Sequence, residues 1–224
     1  MRIYKCSTFQ PTFDFEKFFI TKGCSIIAGI DEAGRGALSG PLYVGLVVYK
    51  DEFIFDPAEQ ILDLIDDSKR LSPNKRNKLL GLVEKYSQFA LTEIISHRII
   101  DKENVNRATE YALLKLLKRI PVKPDLILMD GNFNFDVGIP VVPLRKGDSV
   151  SISIASASII AKVKRDRLVE KFELLYPGYG LDRNKGYGTL EHRRAIMKLG
   201  PSPIHRKTYK PLSDMLNQSL YEDQ

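Results

Sequence analysis

The chain has 224 residues, a length that fits one large domain or a domain with modest appendages. Hydrophobic residues make up 43% and charged residues 28%, which is ordinary for a soluble globular protein with a substantial core. The net charge of +6 and the pI of about 9.2 favour a polyanionic partner, either a nucleic acid or an anionic membrane.

Cysteine content and hydropathy argue against several classes of protein. Cys6 and Cys24 are too few for a disulfide-dependent secreted domain, and their spacing offers no zinc motif. Charges and Pro11 interrupt the N-terminus where a signal peptide needs a continuous apolar run. The longest uncharged apolar stretch, residues 37–49, is shorter than the ~20 residues that cross a bilayer. We therefore expect a cytoplasmic protein without a membrane partner. The sequence does not give the oligomeric state, and our expectation is a monomer.

The first half of the chain predicts an extension, two strands and two helices. Residues 1–24 form an aromatic-rich N-terminal extension. An apolar run over 25–31 predicts a buried strand, and the Val- and Leu-rich residues 41–50 predict a second one. Residues 59–66 suggest a short helix. A longer helix is predicted over 72–86, with Ser as the N-cap and Pro at the first helical position.

The second half predicts strands that alternate with helices. Strands are predicted over 88–95, 125–130 and 139–144, and helices over 105–119, 149–175 and 190–199. Two prolines in the last strand argue for an edge position. This order of elements predicts an α/β domain with a mixed sheet, whose functional residues gather at the carboxyl ends of the strands.

Three acidic residues end two of the predicted strands. Asp31 and Glu32 follow the first apolar run, and Asp130 ends the fourth strand. A single such acid is most simply a solvated residue at the sheet edge. Three of them would repel each other if they converged, and a cation would relieve that repulsion. Oxygen-only ligands suit Mg²⁺ or Mn²⁺, and a pair of such ions is a common arrangement for hydrolysing phosphodiesters.

Two further aspartates have competing interpretations. Asp148 directly precedes the predicted helix 149–175, so its position alone favours a helix N-cap or a first-turn acid. Asp166 lies inside the same helix among basic residues, where we expect a structural ion pair and not a metal ligand.

Several segments resemble, in chain order, the motifs of ribonuclease HII, the type 2 family of ribonuclease H. They are Gly-Ile-Asp-Glu-Ala-Gly-Arg-Gly at 29–36 with Gly-Pro at 40–41, Asp-Ser-Lys-Arg-Leu-Ser at 67–72, Asp-Gly at 130–131, Lys-Gly-Asp at 146–148, the run 153–166, Asn-Lys-Gly-Tyr-Gly-Thr at 184–189 with His192, and His-Arg-Lys-Thr-Tyr at 205–209. The chain departs from the family pattern at 37–39 and at Gly188, and neither departure touches a carboxylate.

The resemblance implies a ribonuclease H-like fold with a central five-stranded mixed sheet flanked by helices and a C-terminal helical segment. It also implies four catalytic and metal-binding acids, which are Asp31, Glu32, Asp130 and Asp148. This assigns Asp148 to the site and leaves Asp166 structural. The implied reaction is a metal-dependent hydrolysis without a covalent intermediate that leaves a 5′-phosphate and a 3′-hydroxyl. The cofactor is a divalent metal, Mn²⁺ or Mg²⁺.

The resemblance also implies the substrate and the residues that contact it. The substrates are RNA–DNA hybrids and duplex DNA that contains ribonucleotides, and the residues expected to contact them are Gly34, Arg35, Gly36, Lys69, Lys162, Tyr187, His205 and Arg206. The glycines of 34–36 either form a tight turn or let backbone groups approach the 2′-hydroxyl, and both are expected together. An isolated Tyr is usually a packing residue, but the family match makes Tyr187 a substrate residue.

These expectations divide the chain into the extension 1–24, a catalytic domain over 25–212 and a tail over 213–224. Residues 218–221 faintly resemble a tail that docks on a sliding clamp, although a functionless end is the simpler expectation. Two alternatives remain at this stage. One is another ribonuclease H-like nuclease, such as a resolvase or integrase. The other is a nucleic-acid-binding protein without catalysis.

Overall fold

The computed structural model describes residues 10–58, 73–133 and 135–215. At its centre lies a five-stranded sheet with the strand order β3-β2-β1-β4-β5. The strands are β1 (Ile27–Ala33), β2 (Leu42–Val48), β3 (Phe89–Ile95), β4 (Leu126–Asp130) and β5 (Val141–Leu144). Each lies within two residues of a predicted strand at both ends.

The sheet is mixed, as predicted. Strand β1 pairs antiparallel with β2 and parallel with β4, while β3 is antiparallel to β2 and β5 is parallel to β4. The central strands are buried on both faces because helices cover both, which explains why they read as continuous apolar runs. Strand β5, which contains Pro143, lies at an edge of the sheet, as its prolines predict.

Seven α-helices accompany the sheet in the described residues. They are α1 (Asp14–Thr21), α2 (Asp51–Phe55), α3 (Pro73–Tyr86), α4 (His97–Arg119), α5 (Ile152–Leu175), α6 (Leu181–Asn184) and α7 (Leu190–Leu199). The predictions for α3 and α7 are confirmed, while α1, α2 and α6 were not predicted. The helix predicted over 59–66 lies outside the described residues.

Helix α4 is interrupted at Asn104, which has φ 67° and ψ 168°. The helix predicted over 105–119 is the part that follows this interruption. The Asn104 carboxamide oxygen accepts hydrogen bonds from the amides of Asn106 at 2.9 Å and Arg107 at 3.1 Å, so Asn104 caps that second part.

Two hydrophobic clusters cover the two faces of the sheet. On one face α5 packs against β1 and β2 and α3 packs against α5, and on the other face α4 packs against β2 and β3. Helix α5 lies unusually close to the central strands, because a Cβ on Gly29 would be 2.2 Å from the carbonyl carbon of Ser153 and one on Gly45 would be 2.3 Å from the carbonyl oxygen of Ala157. These two glycines bring β1, β2 and α5 into backbone contact.

The C-terminal part packs as a separate layer on the end of α5. Its cluster includes Leu38, Val169, Leu181, Ile196 and Ile204, so it joins α5, α6, α7 and the loop after β1. This confirms the predicted C-terminal helical segment. No helix in the described parts of the chain has the length and hydropathy needed to cross a bilayer.

Candidate active site

Parallel pairing of β1 and β4 brings three of the predicted acids together. Ile30 is the register partner of Met129, so the next residues, Asp31 and Asp130, lie side by side at the carboxyl ends of the strands. Asp31 is only 6% exposed, and its Oδ1 accepts a hydrogen bond from the Glu32 amide at 2.7 Å. Asp130 Oδ1 accepts a bond from the Gly147 amide at 2.6 Å.

The electrostatics of these acids reflect burial and mutual repulsion. Burial raises the pKa of Asp31 well above its usual value, and the charges of Glu32 and Asp130 raise it further. Burial also raises the pKa of Glu32 to about 7; neighbouring Arg35 opposes this shift, and Asp130 adds to it. The folded chain therefore disfavours three ionised carboxyls at this point, which is the electrostatic condition that a bound cation would reverse.

Asp148 lies in a turn that packs directly against Asp130. Lys146 adopts the left-handed conformation with φ 55°, and a short 3₁₀ turn follows at Gly147–Ser149. A Cβ on Gly147 would lie 3.3 Å from the Asp130 Cα, so glycine permits this close approach. Asp148 is 5% exposed. The alternative N-cap role of Asp148 is wrong, because Ser151 caps α5 by accepting a hydrogen bond from the Ile154 amide.

The N-terminal extension supports the same turn. Thr12 exchanges backbone hydrogen bonds with Val150 and Ile152. Glu16 on α1 is fully buried and accepts hydrogen bonds from the Ser151 hydroxyl at 2.6 Å and the Ser153 amide at 3.1 Å. The extension is therefore part of the domain surface that shapes this site, which its sequence did not predict.

The residues present fit a hard divalent cation by the chemistry of their donors. The four acids supply only oxygen atoms, and Glu32 Oε2 is buried without a hydrogen-bond partner. Within the described residues, however, no three His, Cys, Asp or Glu side chains are already close enough to form a complete ligand set. A bound ion would therefore require these acids to lie closer together than they do here.

The Gly-Arg-Gly turn adjoins the acids. Gly34 has φ 91°, and a Cβ there would lie 2.0 Å from Arg165 Nε, so only glycine fits. Arg35 Nη1 lies 3.7 Å from Glu32 Oε1, and the same guanidinium lies over the Phe133 ring and donates to the Asn106 side chain. The exposed Gly36 completes the turn.

Tyr187 is joined to this turn although the two are far apart in sequence. The Gly34 amide donates a hydrogen bond to the Tyr187 hydroxyl at 3.2 Å. The cations of Lys162 and Arg165 lie 5.1 Å and 5.2 Å from the centroid of the Tyr187 ring. A cleft of about 220 Å³ is lined by Glu32, Ser158, Lys162 and Tyr187, so one of the four acids, Glu32, shares a space with the tyrosine.

Comparison with known proteins decides the family. The family model described as ribonuclease HII matches residues 28–212. A ribonuclease HII of Geobacter sulfurreducens is 41% identical over 211 residues, which cover 94% of each chain. The chain belongs to the ribonuclease HII family. It is therefore a ribonuclease H, an endonuclease, and the nuclease of another type and the non-catalytic binder considered above are set aside.

Solved structures give the same fold. The ribonuclease H2 of Pyrococcus horikoshii OT3 superposes with a TM-score of 0.72 at 26% identity, covering 86% of this chain and 98% of that one. The ribonuclease HII in a complex with PCNA from Archaeoglobus fulgidus gives a TM-score of 0.68, also at 26% identity, covering 83% and 95%. The ribonuclease H-like fold that the motifs implied is thus confirmed.

Two of the expected substrate-binding residues have internal partners in this member of the ribonuclease HII family. His205 and Arg206 are 1% and 0% exposed. Arg206 donates to the carbonyl oxygens of Arg35 and Gly40, and His205 bonds to Ser202 and His192. Both side chains are therefore buried in this structure and not exposed to a nucleic acid. Their hydrogen bonds hold the loops that surround the turn at 34–36.

Arg165 is a basic residue of the motif at 153–166, and its contacts with the surrounding loops were not predicted. It is fully buried and donates to the carbonyl oxygens of Ser39, Pro41 and Lys185, while it also contacts the Tyr187 ring. Its place directly beside Gly34 is evident only in the folded chain, where a Cβ on Gly34 would lie 2.0 Å from Arg165 Nε.

Two predicted positions remain, Asp166 and Lys69. Asp166 forms ion pairs with Lys162 at 2.9 Å and Arg76 at 3.8 Å, as expected of a structural acid. Lys69 and the motif at 67–72 lie outside the described residues.

Proposed function

We propose that the chain hydrolyses the RNA strand of RNA–DNA hybrids and cuts on the 5′ side of single ribonucleotides in duplex DNA. The products are a 5′-phosphate and a 3′-hydroxyl, and the cellular roles are removal of ribonucleotides and of RNA primers. The observation that carries this proposal is the bond from the Gly34 amide to the Tyr187 hydroxyl, beside the Arg35–Glu32 pair. Together, these two contacts connect the turn at 34–36, which would sense a 2′-hydroxyl, both to Tyr187 and to the acid Glu32.

We assign Asp31, Glu32, Asp130 and Asp148 as the ligands of two divalent ions, Mg²⁺ or Mn²⁺. When bound, such ions would activate a water molecule and stabilise the leaving 3′ oxygen, with no covalent intermediate. The chain itself positions the substrate. Backbone groups of 34–36 face the ribose, and Lys162 supplies a cation for a phosphate.

Tyr187 would restrict cleavage to the correct position. Its ring is half-buried beside the cations of Lys162 and Arg165, so part of the ring remains exposed for packing against a sugar. A deoxyribose after the scissile position leaves more room on such a ring than a ribose does. The Gly34–Tyr187 hydrogen bond then fixes the distance between the sensed 2′-hydroxyl and the following sugar, which allows an RNA–DNA junction to be read.

A two-substrate assay tests this proposal. Wild type, Tyr187→Phe and Tyr187→Ala are compared on a duplex with one ribonucleotide and on a uniform hybrid, with Mg²⁺, Mn²⁺ or EDTA. Tyr187→Ala should reduce kcat/KM on the single-ribonucleotide duplex by about 5- to 150-fold, as loss of ~1–3 kcal/mol of ring packing implies. Tyr187→Phe keeps the ring and should lose less. The proposal is wrong if wild type cuts the hybrid and never the single-ribonucleotide duplex, or if EDTA leaves cleavage intact.

Two further expectations concern a sliding-clamp partner and the oligomeric state. The Archaeoglobus fulgidus relative is known in a complex with PCNA. Docking of residues 218–221 on a sliding clamp stays a prediction, because these residues lie outside the described part of the chain. A monomeric state stays a prediction as well.

A further inference from the structure

Two buried histidines lie behind the loop that carries Tyr187. His192 on α7 is 0% exposed and His205 is 1% exposed, and their Nε2 atoms are 3.1 Å apart. The ring of Tyr179 packs against both imidazoles. Neither histidine adjoins the acidic cluster, so the catalytic chemistry proposed above does not explain their burial.

The hydrogen bonds around the pair fix where each proton lies. The Ser202 amide donates to His205 Nδ1 at 3.0 Å, and an amide can only donate, so this nitrogen carries no hydrogen. The proton of His205 is therefore on Nε2 and is donated to His192 Nε2. The proton of His192 must then be on Nδ1, which lies 2.9 Å from the carbonyl oxygen of Tyr187. Every member of this chain of bonds is satisfied, provided that both rings are neutral.

Burial keeps both rings neutral. Burial and, to a smaller extent, the nearby His192 and His97 together lower the pKa of His205 to about 4. Burial also lowers the pKa of His192. The carboxylates facing His192 are Glu173 and Glu191, but these are already engaged. Glu173 accepts from the Gly178 and Leu181 amides, and Glu191 pairs with Arg183.

We propose that His192 and His205 are positioning residues that hold the backbone of Tyr187 in register with the Gly-Arg-Gly turn and so set the preference for an RNA–DNA junction. This inference rests on the proposed function of Tyr187. The chain of bonds runs from Ser202 through both imidazoles to the Tyr187 carbonyl oxygen. It holds Tyr187 at its main chain, while the Gly34 amide holds the same residue at its hydroxyl.

Backbone pairing places this chain of bonds beside the turn that it would align. Leu38 donates its amide to the Gly186 carbonyl at 2.8 Å and accepts from the Arg206 amide at 2.8 Å. The segment after the turn is therefore clamped between the loop of Tyr187 and the loop of His205. Because both flanking loops are also tied together by the two histidines, a shift of one loop would move the other and the ring of Tyr187 with it.

Nuclear magnetic resonance tests the geometry without reference to activity. Imidazole nitrogen shifts of ¹⁵N-histidine-labelled protein, assigned with single-histidine variants, should show the Nε2–H tautomer for His205 and the Nδ1–H tautomer for His192 at neutral pH. A charged ring, or the opposite tautomer at either residue, would overturn the inference.

Variants test the functional consequence. His192→Phe removes both bonds of the ring, whereas His192→Asn places an amide near the Nδ1 position and can still donate to the Tyr187 carbonyl. We expect His192→Phe to lower the ratio of kcat/KM on the single-ribonucleotide duplex to that on the uniform hybrid by about fivefold or more. His192→Asn should recover most of that loss. The metal concentration for half-maximal activity should not change in either variant.

Tyr179→Phe is the matched control, because it removes a 2.8 Å bond to the Gly200 carbonyl beside the same rings and leaves the two histidines intact. It should keep the wild-type ratio. The positioning role is overturned if folded His192→Phe keeps the wild-type ratio, if His192→Asn recovers none of the loss, or if the Tyr179→Phe control loses the ratio as strongly as His192→Phe does. Circular dichroism melts establish that each variant is folded. Failure of the proposed function would show in wild type itself, whereas failure of this inference shows only in the variants.

Discussion

The carboxyls of Asp31 and Glu32 illustrate how a functional residue can oppose folding. Both pKa values are raised by burial and by neighbouring charge. Between the ordinary value of 4.5 and about 7, the folded chain without metal binds more protons at Glu32 than the unfolded chain does. Its stability therefore falls as the pH rises through that window, and the loss is complete above it.

Glu32→Gln should consequently stabilise the chain in EDTA while abolishing cleavage. We expect a gain on the order of 1–3 kcal/mol above pH 7 that shrinks towards pH 4.5, measured as a difference in urea unfolding across pH. Addition of Mn²⁺ should raise the Tm of wild type, because an ion that binds only the folded state stabilises it, and should raise that of the variant much less. Glu84→Gln, which alters a surface pair with Lys164, is the control and should change little. A variant that is less stable than wild type at pH 8 without metal would contradict this account.

Single residues also mark the limit of prediction from sequence. The four acids could be named from their motifs, and strand ends explain why three of them meet. The burial of His205 and Arg206 could not be predicted, because a basic residue in a motif resembles a phosphate ligand until its surroundings are known, and their contact with the substrate stays a prediction. The buried contacts of Arg165 could not be predicted either, because they join segments that are far apart in sequence.

At the scale of elements, prediction succeeded where periodicity is strong and failed where tertiary contact decides. Strands β1, β2 and β4 were evident because burial on both faces demands apolar runs. Helix α1 was missed, since its formation depends on docking Glu16 against the start of α5. The interruption at Asn104 arises because its side chain caps the following part of the helix, and hydrophobic periodicity does not reveal such a cap.

The packing of α5 on β1 makes a sharp prediction. Gly29→Ala would place a Cβ 2.2 Å from the backbone of Ser153, so helix and strand must separate. We expect a loss of stability of about 1–3 kcal/mol, as overpacked cores show, and a fall in kcat because β1 carries Asp31. The measurements are a thermal melt and single-turnover cleavage.

Gly81→Ala provides the contrasting control. Gly81 lies on α3 with nothing within 4 Å of its would-be Cβ, so alanine should stabilise the helix by about 0.5–1 kcal/mol and leave cleavage unchanged. Equal effects of the two substitutions would show that close approach of α5 is not what Gly29 provides.

At the scale of the whole molecule, the site is assembled from three distant stretches of chain. The turn after β1, the loop of Tyr187 and the loop of His205 meet through the backbone bonds of Leu38 and through Arg165 and Arg206. The C-terminal layer is therefore not an appendage to a catalytic sheet. It supplies the residues that hold the loops proposed to contact the substrate, while the sheet carries Asp31, Glu32 and Asp130.

The net charge of +6 gives a prediction about binding to the substrate as a whole. Each phosphate neutralised by a lysine or arginine releases counterions, so log(kcat/KM) should fall linearly with log salt concentration by roughly 0.7–0.9 per contact. Lys162 borders the cleft with Glu32 and Tyr187, and its pairing with Asp166 leaves it partly exposed. Lys162→Met should therefore flatten that slope by about one unit. Lys115→Met is the control, because Lys115 pairs with Glu93 on β3, away from the cleft, and its loss should lower activity little and leave the slope as in wild type. Identical slopes for wild type and Lys162→Met would mean that the cation over the Tyr187 ring serves the tyrosine alone and does not meet a phosphate.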